Sequence, residues 1–181
     1  MTEFVDTCYV TSPAYFGSRK HVPKKARIRI TTNSNDHLED LITRSVHVTP
    51  LIKSELDRYQ ALVQRESKRQ QNGYKSLLDD HNDLLNVLFT SMTIVEPTKE
   101  ATELMTRFDE GKPSEADRQL VSIAAYHGLD APTTLYTRDR DMIDLTQQMI
   151  KYNMVPWTDF RLYWDRAWQE EIIYGNKQRF S

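Results

Sequence analysis

Four acidic residues stand where chemistry could be done. Asp6 follows Phe4-Val5, and Asp139 follows Leu135-Tyr136-Thr137-Arg138, each at or just past the end of a β-prone run. Glu55 and Asp117 sit about one turn into two amphipathic segments that read as helix starts. In a sheet whose strands alternate with helices, strand ends and the helix starts that follow them share one edge, where ligands bind. Four carboxylates gathered there repel one another unless a cation neutralises them. Oxygen donors of this kind suit hard divalent ions, Mg²⁺ or Mn²⁺, which keep several of their waters.

Each acid also has an ordinary explanation, since the chain holds 26 Asp and Glu among 181 residues. Ser114-Glu115-Ala116-Asp117 fits a capping-box start, in which an acid favours the helix dipole with no metal present. Asp139 or Asp141 can cap the next helix, and Glu55 can sit on a solvated face. Asp6, between Val5 and Cys8 in an apolar strand, is the hardest of the four to explain in that way.

Basic residues supply a second set of candidates. The formal net charge is −2, so any binding to nucleic acid must rest on a local patch. Arg19, Lys20, Lys24, Lys25, Arg27 and Arg29 form such a run without an intervening acid; it reads equally as a phosphate-binding segment or a solvated loop. Arg138 and Arg140 flank Asp139 and can meet phosphates or pair with neighbouring acids.

The elements that must position these groups follow from periodicity. Residues 3–10 begin as a strand with Asp6 at its end. Residues 26–32 alternate Ile28 and Ile30 with Arg27 and Arg29, which predicts a short strand or ribbon, and residues 36–45 predict a short helix. A brief β segment at 45–48 leads to Thr49-Pro50, the N-cap and first turn of a helix running to about Asn72, which Gly73 breaks. With the leucine-rich helix after it, residues 50–92 read as a helical hairpin, its 59–92 part an insertion. Strands at 93–97 and 133–137 alternate with helices opened by Thr98, Ser114 and Asp141, which predicts an α/β fold: a parallel sheet flanked by helices in three layers.

The length suits one domain, residues 1–150, carrying that insertion, with residues 151–181 as an aromatic helical extension packed on it. In the extension Trp157, Phe160, Tyr163, Trp164 and Trp168 recur at mostly helical spacing, either as core or as an interface with a second copy or another protein. No apolar run nears the roughly 18 residues of a membrane span. The acid in the N-terminal Met-Thr-Glu-Phe-Val-Asp argues against a secretory signal, so a cytoplasmic protein is expected. The single cysteine, Cys8, cannot form an internal disulfide and receives no role.

Phe4-Val5-Asp6-Thr7, Ser54-Glu55-Leu56, Ser114-Glu-Ala-Asp117 before an Ala-containing helix, and Thr137-Arg138-Asp139-Arg140-Asp141-Met142 occur in that order. Together they resemble the PIN-domain nuclease family over residues 1–10, 46–58 and 93–146. Residues 11–45, the hairpin and the tail depart from that pattern, and the chain is longer than the small bacterial PIN toxins. The resemblance implies Mg²⁺- or Mn²⁺-dependent hydrolysis of phosphodiesters by an activated water, with Asp6, Asp117 and Asp139 as metal ligands and Glu55 as a ligand or holder of metal-bound water. Thr7, Thr137 and Asp141 would fix those ligands by hydrogen bonds. It favours a single-stranded or structured RNA over DNA as substrate, and a role as toxin or defence effector with an antitoxin or other protein partner; a homodimer is a further possibility. The alternatives are a structure-specific DNA nuclease and a non-catalytic scaffold of the same fold.

Overall fold

The computed structural model describes residues 1–11, 24–71, 73–108, 113–155, 157–166 and 169–174, with the backbone alone at 24, 166 and 169–174. Arg19, Lys20 and Trp168 therefore lie outside the described residues, as does the side chain of Lys24. The chain divides into two compact units, one of Met1–Tyr9, His47–Lys53 and Thr93–Ser181, the other of Val10–Val46 and Ser54–Met92.

The first unit is built on a sheet. Strands β1 (Thr2–Val5), β2 (Val46–Val48), β3 (Thr93–Ile94), β4 (Thr133–Thr137), β5 (Phe160–Arg166) and β6 (Gln169–Tyr174) lie in the order β3-β2-β1-β4-β5-β6. β1 pairs with β4, β2 with β3 and β4 with β5, all parallel, while β6 returns antiparallel to β5. The expected α/β fold, a parallel sheet flanked by helices, is what forms. Because the chain leaves β1 toward β2 and leaves β4 toward β5, the crevice between the carboxyl ends of β1 and β4 is a topological switch point, the usual place for a ligand in such sheets.

Register decides what each face presents. Phe4, Leu135 and Leu162 stand side by side, all fully buried, and the Phe4 ring meets His127 of the helix α6 (Glu115–Asp130) edge-on at 5.4 Å. Their neighbours Val5, Tyr136 and Tyr163 form the next row and face the other way, because side chains alternate along a strand. α5 (Lys99–Met105), capped by Thr98, precedes α6, which buries Leu120, Val121, Ile123, Ala124 and Ala125, and the small residues among them let the sheet approach closely.

The approach is closest at Gly128. A Cβ there would lie 2.2 Å from Thr158 Oγ1 and 2.9 Å from the Phe160 nitrogen, and the Gly128 carbonyl accepts the Asp159 N–H at 2.7 Å. Gly128 lies inside α6, which runs two residues on, to Asp130.

The second unit is helical. α2 (Lys24–Ile42) replaces both the expected strand at 26–32 and the separate short helix at 36–45. Its buried positions, Thr31, Ser34, Asn35, Leu38 and Leu41, follow a helical period. The first three are polar, so hydrophobicity alone hides the buried face. Thr31 and Ser34 return their hydroxyls to the carbonyls of Arg27 and Ile30, which removes the cost of burying them.

Helices α3 (Pro50–Ser67) and α4 (Gly73–Ser91) form the anticipated hairpin, although α3 stops at Ser67 and Gly73 opens α4 rather than closing α3. Gln60 bonds Asn86, Gln64 bonds Asn82 and Ser67 bonds Asp79, the ladder of an antiparallel pair. Inside, the Asn35 amide donates to the Leu77 carbonyl, which leaves its oxygen to accept His81 Nδ1–H at 2.5 Å. Tyr59 then donates to His81 Nε2 at 2.7 Å. Burial pushes His81 down to about 4, so the ring is neutral, as this donor-acceptor chain requires.

The C-terminal segment is not the expected helical extension. Phe160, Leu162 and Trp164 are buried while Arg161, Tyr163 and Asp165 are half-buried, a period of two. Aromatics at 157, 160 and 164 fit a helix by spacing, but pairing with β4 decides otherwise. Among the described residues no helix is long and apolar enough to cross a membrane.

Gly128→Ala is expected to destabilise the protein by about 1–3 kcal/mol, because the new methyl group meets backbone that cannot move aside freely. Denaturant midpoints of the two proteins measure this, and equal midpoints would show that α6 and β5 are not in close contact there.

Candidate functional site

Asp6 is the first residue past β1, and its backbone N–H still bonds the Tyr136 carbonyl of β4 at 3.0 Å. The chain then enters the single-turn helix α1 (Thr7–Val10), where the Tyr9 N–H returns to the Asp6 carbonyl. The Asp6 side chain is only 3% exposed. Two donors address the same oxygen, Oδ2: Thr137 Oγ1 at 2.7 Å and Cys8 Sγ at 2.7 Å.

Those donors are themselves oriented by the turn after β4. The Asp139 N–H donates to Thr137 Oγ1 at 2.9 Å, and the Arg138 N–H donates to Cys8 Sγ at 3.1 Å. One turn thus fixes the carboxylate from two sides. The Asp139 carboxylate accepts the Asp141 N–H at 2.9 Å, at the start of α7 (Asp141–Lys151).

Electrostatics at Asp6 reports on its surroundings. Burial raises its carboxyl to about 6, the Cys8 and Thr137 hydrogen bonds oppose that rise, and the charges of Asp117 and Asp139 add to it. Two further carboxylates therefore act on Asp6 at the switch point. Burial also pushes the Cys8 thiol up, helped by the neighbouring Asp6 charge, so the sulfur keeps its proton and serves as a donor.

Asp117 holds the start of α6. Its Oδ2 accepts the Ser114 N–H at 2.8 Å, and its own N–H donates to Ser114 Oγ at 3.1 Å, a complete capping box. The capping explanation weighed from sequence is thus realised in the hydrogen bonds, while the Asp117 charge still acts on Asp6. Glu55 is half-buried on α3, in the second unit. Thr7 is buried at the start of α1, and Asp141 is half-buried at the start of α7.

Among the described residues, no three His, Cys, Asp or Glu side chains form a ready-made metal-holding group. A closed cage is not what the donor chemistry asks for, since Mg²⁺ retains several waters and is commonly held through one or two carboxylates. A carboxylate raised chiefly by burial, and further by two neighbouring acids, fits an ion of that kind.

Of the basic candidates, Arg138 does not stand open to a phosphate. Its guanidinium lies 5.2 Å from the centroid of the Tyr9 ring, with Nε 3.4 Å from Asp165. Arg140 is exposed. On α2, Lys25 and Arg29 are exposed and Arg27 is half-buried. Sequence reasoning gave Cys8 no role; its position two residues past Asp6, in the turn that closes on that carboxylate, was the available signal. Asp165 was missed because its strand was read as a helix.

No family model matches the chain, and no curated protein does. Among solved structures it is similar to the crystal structure of VapBC2 from Rickettsia felis bound to a DNA fragment from their promoter, at 16% identity and a TM-score of 0.41, over 91% of this chain and 100% of that one. That likeness is too distant to bear on the chemistry.

The Asp6 shift predicts a pH-dependent cost of keeping the metal-free protein folded. The folded-state value of about 6 lies above the ordinary 3.8, so the folded protein holds this proton more tightly and loses stability as pH rises through 6. At neutral pH the cost is about 3 kcal/mol at most. In EDTA, Asp6→Asn is expected to be more stable than the wild type at pH 7.5, with the gap closing by pH 4. A variant less stable at every pH would show that the ionised carboxylate is a net stabiliser.

Proposed function

We propose that this chain is a metal-dependent nuclease of the PIN type that hydrolyses phosphodiester bonds, with RNA preferred over DNA. The observation that carries the reading is the buried Asp6 carboxylate at the β1–β4 switch point, held on one oxygen by Thr137 and Cys8 and acted on by the charges of Asp117 and Asp139. A structural acid gains nothing from such company, because burial and like charges both disfavour its ionised form. The order of the four sequence motifs supports the same family.

In this reading Asp6, Asp117 and Asp139 hold Mg²⁺ or Mn²⁺. The bound ion would supply Lewis acidity to the phosphate and a water of lowered pKa. The chain's part is positioning. Thr137 and Cys8 fix Oδ2, which leaves Oδ1 as the oxygen to face the ion. Asp139 is oriented by the Asp141 N–H and Asp117 by the Ser114 N–H, each at a helix start. Hydrolysis by water needs no covalent intermediate, in keeping with a site whose thiol is held protonated.

The capping box at Asp117 favours a second reading, a scaffold of the same fold in which this acid is structural only. Substitution separates the two. With Mg²⁺ present, Asp6→Asn and Asp139→Asn are expected to lower cleavage of labelled single-stranded RNA by at least about a hundredfold, with native circular dichroism. Asp117→Asn keeps an oxygen for the Ser114 N–H but loses the charge, so its activity should fall while its stability holds. Wild-type protein that cleaves neither RNA nor DNA with Mg²⁺ or Mn²⁺ would return the fold to the scaffold reading.

A further inference from the structure

On the sheet face turned away from α6, beside the carboxylate edge, lies a row of aromatic rings that the proposed metal chemistry does not use. Tyr9, Tyr136 and Tyr163 follow one another with ring centroids 5.4 and 5.3 Å apart, on α1, β4 and β5. Tyr136 and Tyr163 are register partners and half-buried, so each keeps part of its surface open to solvent. Tyr136 is followed by Thr137, the donor to Asp6, and the Tyr9 N–H bonds the Asp6 carbonyl, so the row is joined to the site by backbone.

The Tyr136 hydroxyl donates to Glu3 at 3.4 Å, and Arg138 pairs with Asp165 at 3.4 Å, each side chain of that pair about 30% exposed. Arg161, two positions before Tyr163 on β5, lies on the same face as that ring. Aromatic side chains beside cations, on adjacent strands, are what single-stranded bases stack on.

We propose that Tyr136 and Tyr163 form a base-stacking subsite for an unpaired nucleotide next to the phosphate held at the carboxylates. The nucleic acid passes over the carboxyl edge of the sheet, with Arg138 at the corner on top of Tyr9. This rests on the nuclease reading for the identity of the strand. Its own content is separate: the contact is to the base plane, tolerates any base, and requires an unpaired one.

The test is equilibrium binding in EDTA, where no metal-dependent cleavage occurs, using a fluorescently labelled single-stranded RNA of mixed sequence and an abasic strand of the same length. The wild type is expected to bind the base-bearing strand at least fivefold more tightly than the abasic one. Tyr163→Leu should lose fivefold to about a hundredfold on the base-bearing strand and nothing on the abasic strand, while Tyr163→Phe keeps wild-type affinity. A wild type that binds the two strands alike, or binds neither, overturns the subsite without any variant. Equal losses for Tyr163→Leu on both strands also overturn it, since they would mark a phosphate contact or a folding defect. Failure of the nuclease reading shows elsewhere, as absence of cleavage by the wild type when Mg²⁺ is restored.

Discussion

A carboxylate buried where its ionised form is disfavoured sets the terms for the rest of the first unit. Asp6 cannot be relieved by water at 3% exposure, so the protein supplies donors instead. Thr137 ends β4 and Cys8 lies in the helical turn after β1, and both depend on the turn after β4 for their orientation. The parallel pairing of β1 with β4 is therefore more than scaffold: a slip of one residue would send Thr137 to the other face and remove its hydrogen bond.

The same economy governs the neighbouring acids. Asp117 and Asp139 each give one oxygen to a backbone N–H at a helix start, where the helix dipole also favours a negative charge. Those bonds hold the carboxylates in place. What no capping role explains is the repulsion the two acids impose on Asp6.

The second unit follows a different rule. Its interior carries the chain Leu77 carbonyl, Asn35, His81, Tyr59, in which each proton has one place to go once the histidine is neutral. Buried networks of this kind cost nothing extra when complete and a great deal when broken, which fixes the relative positions of α2, α3 and α4. They also leave α2 with a polar buried face that no hydrophobic periodicity reveals.

Local chemistry made much of this molecule legible beforehand. Asp6 and Asp139 were placed at strand ends, and Thr98 and Ser114 at helix starts, because apolar runs, capping residues and their spacing act within a few residues of one another. The alternation of strands and helices carried the parallel sheet in the same way. Three features waited for the tertiary structure, each for a physical reason. The helix over residues 24–42 buries Thr31, Ser34 and Asn35, whose burial is tolerated only through partners that the fold provides. The strand at 160–166 shares aromatic positions with a plausible helix, and its conformation is settled by hydrogen bonds to β4, a partner more than twenty residues away in sequence. Cys8 became a donor to Asp6 because the turn after β4 delivers the Arg138 N–H to its sulfur, a contact across 130 residues of chain. Sequence determined which residues could carry charge and where helices and strands could begin; only the folded sheet decided which of those charges would face one another.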